Sequence, residues 1–348
     1  MIKKIIVNDL LVKDIISSLA KYFNTKVEEE NNEFSMVIPK KHGSGVIKAY
    51  EFSNGIGVIH ANYVLKNDHY IEFEKGVLQP LKILFNIENA FTHKFSETKE
   101  THEIKRLENV ITSGSHQQHH IFKIPAKESI TMFSLEINRK LFEEKIASFL
   151  ENMNEELVEL FRDLNGINSF FYKSQYSLAI AKFIQEFTSC ELSGFMKSVY
   201  LEGKAYEILT SQLQQYLDDL NEPDKRTILR QATIEKIEKA AFIIEEELEI
   251  VDNIAAIASR VGLNTNTLQN GFRQMHNNSV KEYIMNVRIE KAKEFMEKSD
   301  LNISEITYKI GINSRSYFSK VFKERYGMTP KQYMTKVRPP KKAQSKSA

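Results

Sequence analysis

Ile254-Ala255-Ala256-Ile257-Ala258-Ser259-Arg260-Val261-Gly262-Leu263-Asn264 returns in kind about fifty residues later as Ile303-Ser304-Glu305-Ile306-Thr307-Tyr308-Lys309-Ile310-Gly311-Ile312-Asn313. Each stretch is followed by a pair of large apolar residues four apart, Leu268 and Phe272 in the first copy, Phe318 and Phe322 in the second. A short helix, a glycine turn and a second helix with one apolar face is the layout of a helix-turn-helix, which sets its second helix in a DNA major groove. Two such units in series carry far more weight than one, and point to DNA binding before any other residue is considered.

In the first unit, Asp252 or Asn253 is expected to cap a helix whose inner face is Ile254, Ile257 and Ala258. Gly262 falls where a tight turn needs positive φ, and Leu263 plugs the turn into the core. Leu268 and Phe272 face inward, which leaves Asn266, Gln269, Asn270 and Arg273 on the opposite face. Amide side chains pair bidentately with adenine, and arginine pairs with guanine. The second unit repeats the scheme, with Ile306, Ile310 and Ile312 inside, Gly311 at the turn, and Phe318, Val321 and Phe322 as anchors. Its outer face carries Arg315, Ser316, Ser319, Lys320 and Lys323. That face is more basic and poorer in amides, so the first unit is expected to read bases and the second to lean on phosphate. Between them, Ser279 begins a helix over 280–298 whose Ile284, Val287, Ile289, Ala292, Phe295 and Met296 span more than one face, as a strut between two modules requires. Such a strut would hold the two second helices about one DNA turn, roughly 34 Å, apart.

Charge divides the chain in the same way. Residues 253–348 carry 18 Lys and Arg against 7 Asp and Glu, whereas the preceding residues carry 30 against 39, so the net charge of +2 conceals a basic end on an acidic body. A basic terminal segment suits a phosphate backbone. The 348 residues suffice for two or three domains. One cysteine, Cys190, leaves no intrachain disulfide and no cysteine-based zinc site. No run of eighteen apolar residues suggests a membrane span, and the first residues, which meet Asp9 early, do not read as a signal peptide. The expected compartment is the cytoplasm.

The fold expected is α+β. Residues 1–138 read as a β-rich effector-sensing domain: one helix over 9–23, then strands over 34–39, 45–52, 57–65, 69–73, 78–86, 90–95, 108–112, 119–124 and 129–137, a spacing that suits a small sandwich or barrel. Residues 139–220 read as a helical region for dimerisation, with helices over 140–150, 155–164, 177–187 and 194–220. The last has an apolar stripe that buries against its own domain or against another subunit. Residues 221–248 read as a linker, breaking at Asn221-Glu222-Pro223-Asp224, and a connecting helix. The DNA-binding domain spans 249–338, and 339–348 is a basic, disordered tail.

The carrying stretches resemble the DNA-binding domain of the AraC/XylS family of bacterial transcription regulators. They are Ile257 to Leu263, Arg288-Ile289-Glu290-Lys291-Ala292, Gly311 to Lys323, and the closing Tyr326-Gly327-Met328-Thr329-Pro330-Lys331-Gln332-Tyr333. Gly262-Leu263-Asn264 with Leu268-Gln269-Asn270-Gly271-Phe272, and Tyr200-Leu201-Glu202-Gly203-Lys204-Ala205-Tyr206 upstream, resemble the branch of pyochelin-responsive, PchR-type regulators. The resemblance implies a transcription activator, a cupin-like or similar small barrel as sensor, and a ferric siderophore as effector. Where the family often has Phe-Gly after the first recognition helix, this chain has Met275-His276-Asn277-Asn278, so the turn into Val280 is expected to differ.

The partners expected are promoter DNA, RNA polymerase, a small effector and a second copy of the chain; no membrane and no cofactor is expected. Tyr50, Phe52, Tyr63, Tyr70, Phe73 and Phe85 either line an effector cavity or form ordinary core. His116, His119 and His120 lack a neighbouring carboxylate or cysteine and read as a solvated strand or turn rather than a metal site. No phosphate loop, nucleophile elbow or paired carboxylates stand out, and no enzyme is expected. Control by a protein partner through the helical region is the alternative to a small effector.

Overall fold

The computed structural model describes residues 3–7, 11–74, 80–221, 223–248, 253–276 and 278–338, with the backbone alone for 223–229 and 231. The chain is α+β and divides into two compact units, Met1–Arg230 and Gln231–Ala348.

In the first unit, β1 (Lys3–Val7) precedes helix α1 (Val12–Phe23). Then follow β2 (Glu28–Glu30), β3 (Glu33–Val37), β4 (Gly43–Glu51), β5 (Ile56–Leu65), β6 (His69–Phe73), β7 (Leu81–Asn86), β8 (Phe91–Phe95), β9 (His102–Ile104), β10 (Glu108–Ser113), β11 (His120–Ile124) and β12 (Ser129–Ile137). Helices α2 (Arg139–Ile146) and α3 (Glu155–Arg162), strand β13 (Phe170–Gln175), and helices α4 (Leu178–Thr188) and α5 (Gly194–Asn221) complete it. The strands form two sheets, one ordered β1-β6-β11-β8-β9 and one ordered β13-β10-β7-β12-β5-β4-β3-β2. One apolar core joins them: Phe73, Phe91, Phe122 and Ile124 of the first sheet pack with Ile47, Ala61, Tyr63 and Leu84 of the second and with Ile15, Ile16 and Leu19 of α1. Successive side chains point to opposite sides of a strand, so Ile47 and Ala49 of β4, Ala61, Tyr63 and Leu65 of β5 and Ile130 of β12 share this inner face.

Four strands lie where no strand was expected. β13 falls in the stretch read as purely helical and pairs antiparallel with β10 at the sheet edge, Ser174 opposite Asn109 and Tyr172 opposite Ile111. Its burial does not alternate, so the period-two signal is missing. β2 is three exposed glutamates, and β1 and β9 are short outer strands of the first sheet. Asp9 and Leu10, at the start of the expected first helix, lie outside the described residues, as do Glu222 of the expected linker and the tail from Pro339.

The reading of 115–120 as solvated needs correction. His116 and Gln117 are exposed, but His120 is fully buried and its Nδ1 lies 2.9 Å from Nε2 of the buried His93. Burial holds the His93 imidazole down to about 3, so both rings are neutral and one donates to the other.

Of the two readings offered for the α5 stripe, burial against its own unit is the one the structure contains. Leu201, Ala205, Ile208, Leu209 and Tyr216 are buried within the unit, while Phe195, Met196, Val199 and Leu220 stay exposed. Near its end, Asp219 is buried and accepts from Tyr172 Oη, from Ser174 Oγ at 2.9 Å and from Arg230 at 2.6 and 2.7 Å. A carboxylate so placed needs this full set of donors, because an unpaired charge in the interior costs several kcal/mol, on the order of 3–5.

Helix α6 (Pro223–Glu246) runs from the first unit into the second. It starts on a proline, whose missing N–H has no helical partner in the first turn. The second unit continues with α7 (Ile254–Arg260), α8 (Thr265–His276), α9 (Val280–Lys298), α10 (Ile303–Lys309), α11 (Arg315–Tyr326) and α12 (Pro330–Val337).

Candidate nucleic-acid interface

α7, the turn and α8 form the first helix-turn-helix. Of the two candidate caps, Asp252 lies outside the described residues, and Asn253 accepts from the backbone N–H groups of Ala255 and Ala256 at 2.9 and 3.4 Å. Gly262 takes φ of 66°, the left-handed region a side chain resists. The N–H of Leu263 then reaches back to Ala258 O at 2.9 Å, which closes the helix end and turns the chain sharply. Asn264 caps α8 by accepting from Thr267 N at 2.8 Å. Leu268 and Phe272 are fully buried, as their spacing requires.

α10, its turn and α11 repeat this geometry. Asn302 and Glu305 form a reciprocal capping box, and Gly311 takes φ of 70°. Ile312 N donates to Thr307 O at 3.1 Å, Ser314 caps α11, and Phe318 and Phe322 are fully buried. Between the units, α9 begins with a second capping box, Ser279 with Glu282, and buries Ile284, Ile289, Ala292 and Met296. Val287 and Phe295 are half-buried.

The two helix pairs expose the faces anticipated, with differences in what is free to bind. Asn266 and Arg273 on α8 are exposed, and Asn270 is half-buried. Gln269 is half-buried, and its Oε1 accepts from Val280 N at 3.3 Å, so its carbonyl end closes the start of α9. On α11, Arg315, Ser316, Lys320 and Lys323 are exposed and Ser319 is half-buried. Arg315 also donates to Ser304 Oγ at 3.3 Å.

Tyr317, outside the residues expected to bind, is 48% exposed beside Ser316 and Lys320 on this face. An aromatic off the apolar stripe of α11 was the signal available. Other cations nearby are engaged: Arg260 with Glu247 at 2.6 Å, and Arg325 with Glu290 at 2.8 Å and Asn286 at 3.0 Å. An ion-paired guanidinium would have to give up a charged partner to meet phosphate.

Residues 42–229 match the family profile of the regulatory protein PchR N-terminal domain, and residues 257–336 match that of a helix-turn-helix domain. The first match covers more than half of the 348 residues, and the chain belongs to the AraC/XylS family of transcription regulators, in the group that carries the PchR N-terminal domain. That family is one of regulators and not of enzymes. Transcriptional activator PerA from Escherichia coli O127:H6 is 25% identical over 241 residues, 64% of this chain and 84% of that protein. Histidine kinase P4 from Formosa agariphila is 32% identical over 101 residues, 29% of this chain, which spans 7% of the kinase. Among solved structures, fatty-acid-bound ToxT from Vibrio cholerae covers 82% of this chain and 96% of its own at 18% identity, with a TM-score of 0.31.

Proposed function

We propose that this protein is a sequence-specific DNA-binding transcription activator whose N-terminal unit takes a small effector. The observation that carries the reading is the pair of helix-turn-helix units with matching turns, Gly262 and Gly311 both at positive φ, each presenting an exposed polar or basic helix face. Asn266, Gln269, Asn270 and Arg273 would meet base edges. Arg315, Ser316, Ser319, Lys320 and Lys323 would meet mainly phosphate, with the two helices about one DNA turn, roughly 34 Å, apart. RNA polymerase would be the partner at the promoter, and the cytoplasm is where that DNA lies. No helix among the described residues is long and apolar enough to cross a membrane.

The protein would act as a homodimer. In support, the exposed Phe195, Met196 and Val199 lie on α5 outside the face that its own unit buries. For the effector, the family resemblance points to a ferric siderophore. A second reading puts a protein partner at the helical part of the first unit, where Phe149, Ile167 and Phe195 are 62, 71 and 79% exposed. A monomer in solution holding a ligand in its N-terminal unit would count against that second reading.

The test is a binding competition at moderate salt, followed by a genome-wide footprint with and without iron limitation. Paired half-sites one helical turn apart are expected, and a protein with no preference over competitor DNA would end the regulator reading. Sites beside uptake genes that respond to iron would support the siderophore; sites elsewhere would leave the regulator and remove that effector.

A further inference from the structure

Between the two sheets of the first unit lies a cavity of about 80 Å³, lined mainly by hydrocarbon from Leu19, Ile47, Tyr63, Phe122 and Met132 among others. One polar feature borders it. Lys82 on β7 and Glu136 on β12 are 2 and 5% exposed and form a 2.5 Å ion pair, and Ser134 donates to the other oxygen of Glu136 at 2.7 Å. The same lysine Nζ stands 4.2 Å over the Phe73 ring, which also lines the cavity.

An ion pair in such a place is a poor device for stability, because removing two charges from water costs about as much as their attraction returns. Apolar residues at 82 and 136 would close this space more cheaply. The arrangement does offer one thing a hydrocarbon wall lacks. An ammonium has three donors; Glu136 takes one, the Phe73 ring faces a second, and a third is left at the edge of the cavity.

Charge decides what that donor can meet. Lys82 and Glu136 cancel, so an anion entering would leave one uncompensated negative charge in a space with almost no polar lining, whereas a neutral acceptor leaves the balance at zero. A metal chelate fits badly for a related reason: its polar coordination shell would lose water and gain hydrocarbon.

We propose that this cavity binds a small, uncharged, mostly hydrocarbon molecule with a single hydrogen-bond acceptor, which receives the remaining N–H of Lys82. This rests on the reading of the first unit as an effector domain; a ferric siderophore, larger and polar, would have to be held elsewhere in that unit. Glu136 also borders an outer cleft of about 300 Å³ lined by Val12, Asn54, Gly55 and Asn138.

The experiment uses full-length protein with labelled methionine methyl groups and follows Met132 by NMR. Butyronitrile, butyrate and pentane are titrated separately near neutral pH. Butyronitrile and pentane are expected to shift the Met132 methyl, butyronitrile with an affinity about tenfold higher for one added hydrogen bond to a charged donor, and butyrate is expected to shift nothing. In Lys82→Met/Glu136→Leu, which leaves neither charge unpaired, the nitrile should lose its advantage over pentane. Circular dichroism melts of the same sample establish that the variant is folded, and the single variant Ser134→Ala gives a second folded background in which the preference should persist. Butyrate binding more tightly than butyronitrile, or a Met132 methyl indifferent to all three probes, would overturn the proposal. Sequence preference in DNA binding is measured apart from these titrations, so failure of the cavity and failure of the regulator reading remain distinct.

Discussion

The two helix-turn-helix units share a turn to within 4° in the φ of its glycine, 66° at Gly262 and 70° at Gly311, yet they complete their cores with different elements. In the first, Gly271 of α8 is buried with no side chain, and an added Cβ would come within 2.1 Å of Cδ1 and 2.7 Å of Cγ1 of Ile237 on α6. That helix buries Ile234, Ile237, Ala240, Ala241 and Ile244. In the second, Val321 stands at the position equivalent to Gly271 and packs with Ile306, Ile310, Phe318 and Phe322, while Tyr333 and Met334 of α12 cover the same cluster. The local motif specifies the turn and the buried aromatic, and is silent about which helix lies across them.

The outer faces differ as well. α8 is amide-rich, and one of its amides is half committed to the start of α9; α11 is cationic, and its Lys320 and Lys323 are exposed. If the halves are equivalent in folding but divided in recognition, substitutions should separate along that line.

The largest effects are expected from the shared core. Phe272→Ala and Phe322→Ala should each cost roughly 3–5 kcal/mol, the usual range for emptying a buried phenylalanine site. Thermal or urea unfolding would measure both, and a difference of several kcal/mol between them would break the equivalence. Next comes the position at which the halves diverge. Gly271→Val should destabilise by about 1–3 kcal/mol through overpacking against Ile237, and Ile237→Ala in the same chain should return part of that loss. If Gly271→Val proves neutral, the close approach of α6 is wrong.

Recognition should divide in the way the faces do. Asn270→Ala is expected to relax discrimination at one base position by about 1–3 kcal/mol, whereas Lys323→Ala should weaken binding to all sequences alike and lower the salt slope by about one. Gln269→Ala should change base preference less than Asn270→Ala, and should lower stability by roughly 0.5–1.5 kcal/mol because Val280 N loses its acceptor. Competition binding across single-base variants at two salt concentrations separates these outcomes. A uniform loss from Asn270→Ala together with a base-specific loss from Lys323→Ala would reverse the assignment. At the turns, Gly262→Ala and Gly311→Ala should each cost about 1–2 kcal/mol for a side chain forced to positive φ. Equal shifts in the two melting curves are expected.

Much of the second unit was legible in the sequence because its determinants are local. A glycine that must turn left-handed, a cap such as Ser279 three residues before Glu282, and aromatics four apart act within a turn or two of helix, and each left its mark in consecutive residues. The strands β3 to β8 and β10 to β12 were legible for a similar reason, since each is a short apolar run closed off by nearby turn residues. Tertiary structure alone decided the rest. β13 is a strand because β10 offers it an edge, not because its own residues alternate. His120 meets His93, 27 residues away, only where β11 pairs with β8. Lys82 and Glu136, 54 residues apart, meet only when β7 and β12 pair. Hydrogen bonds and sterics between near neighbours can be read from the chain; contacts between distant residues exist only once the chain has closed on itself.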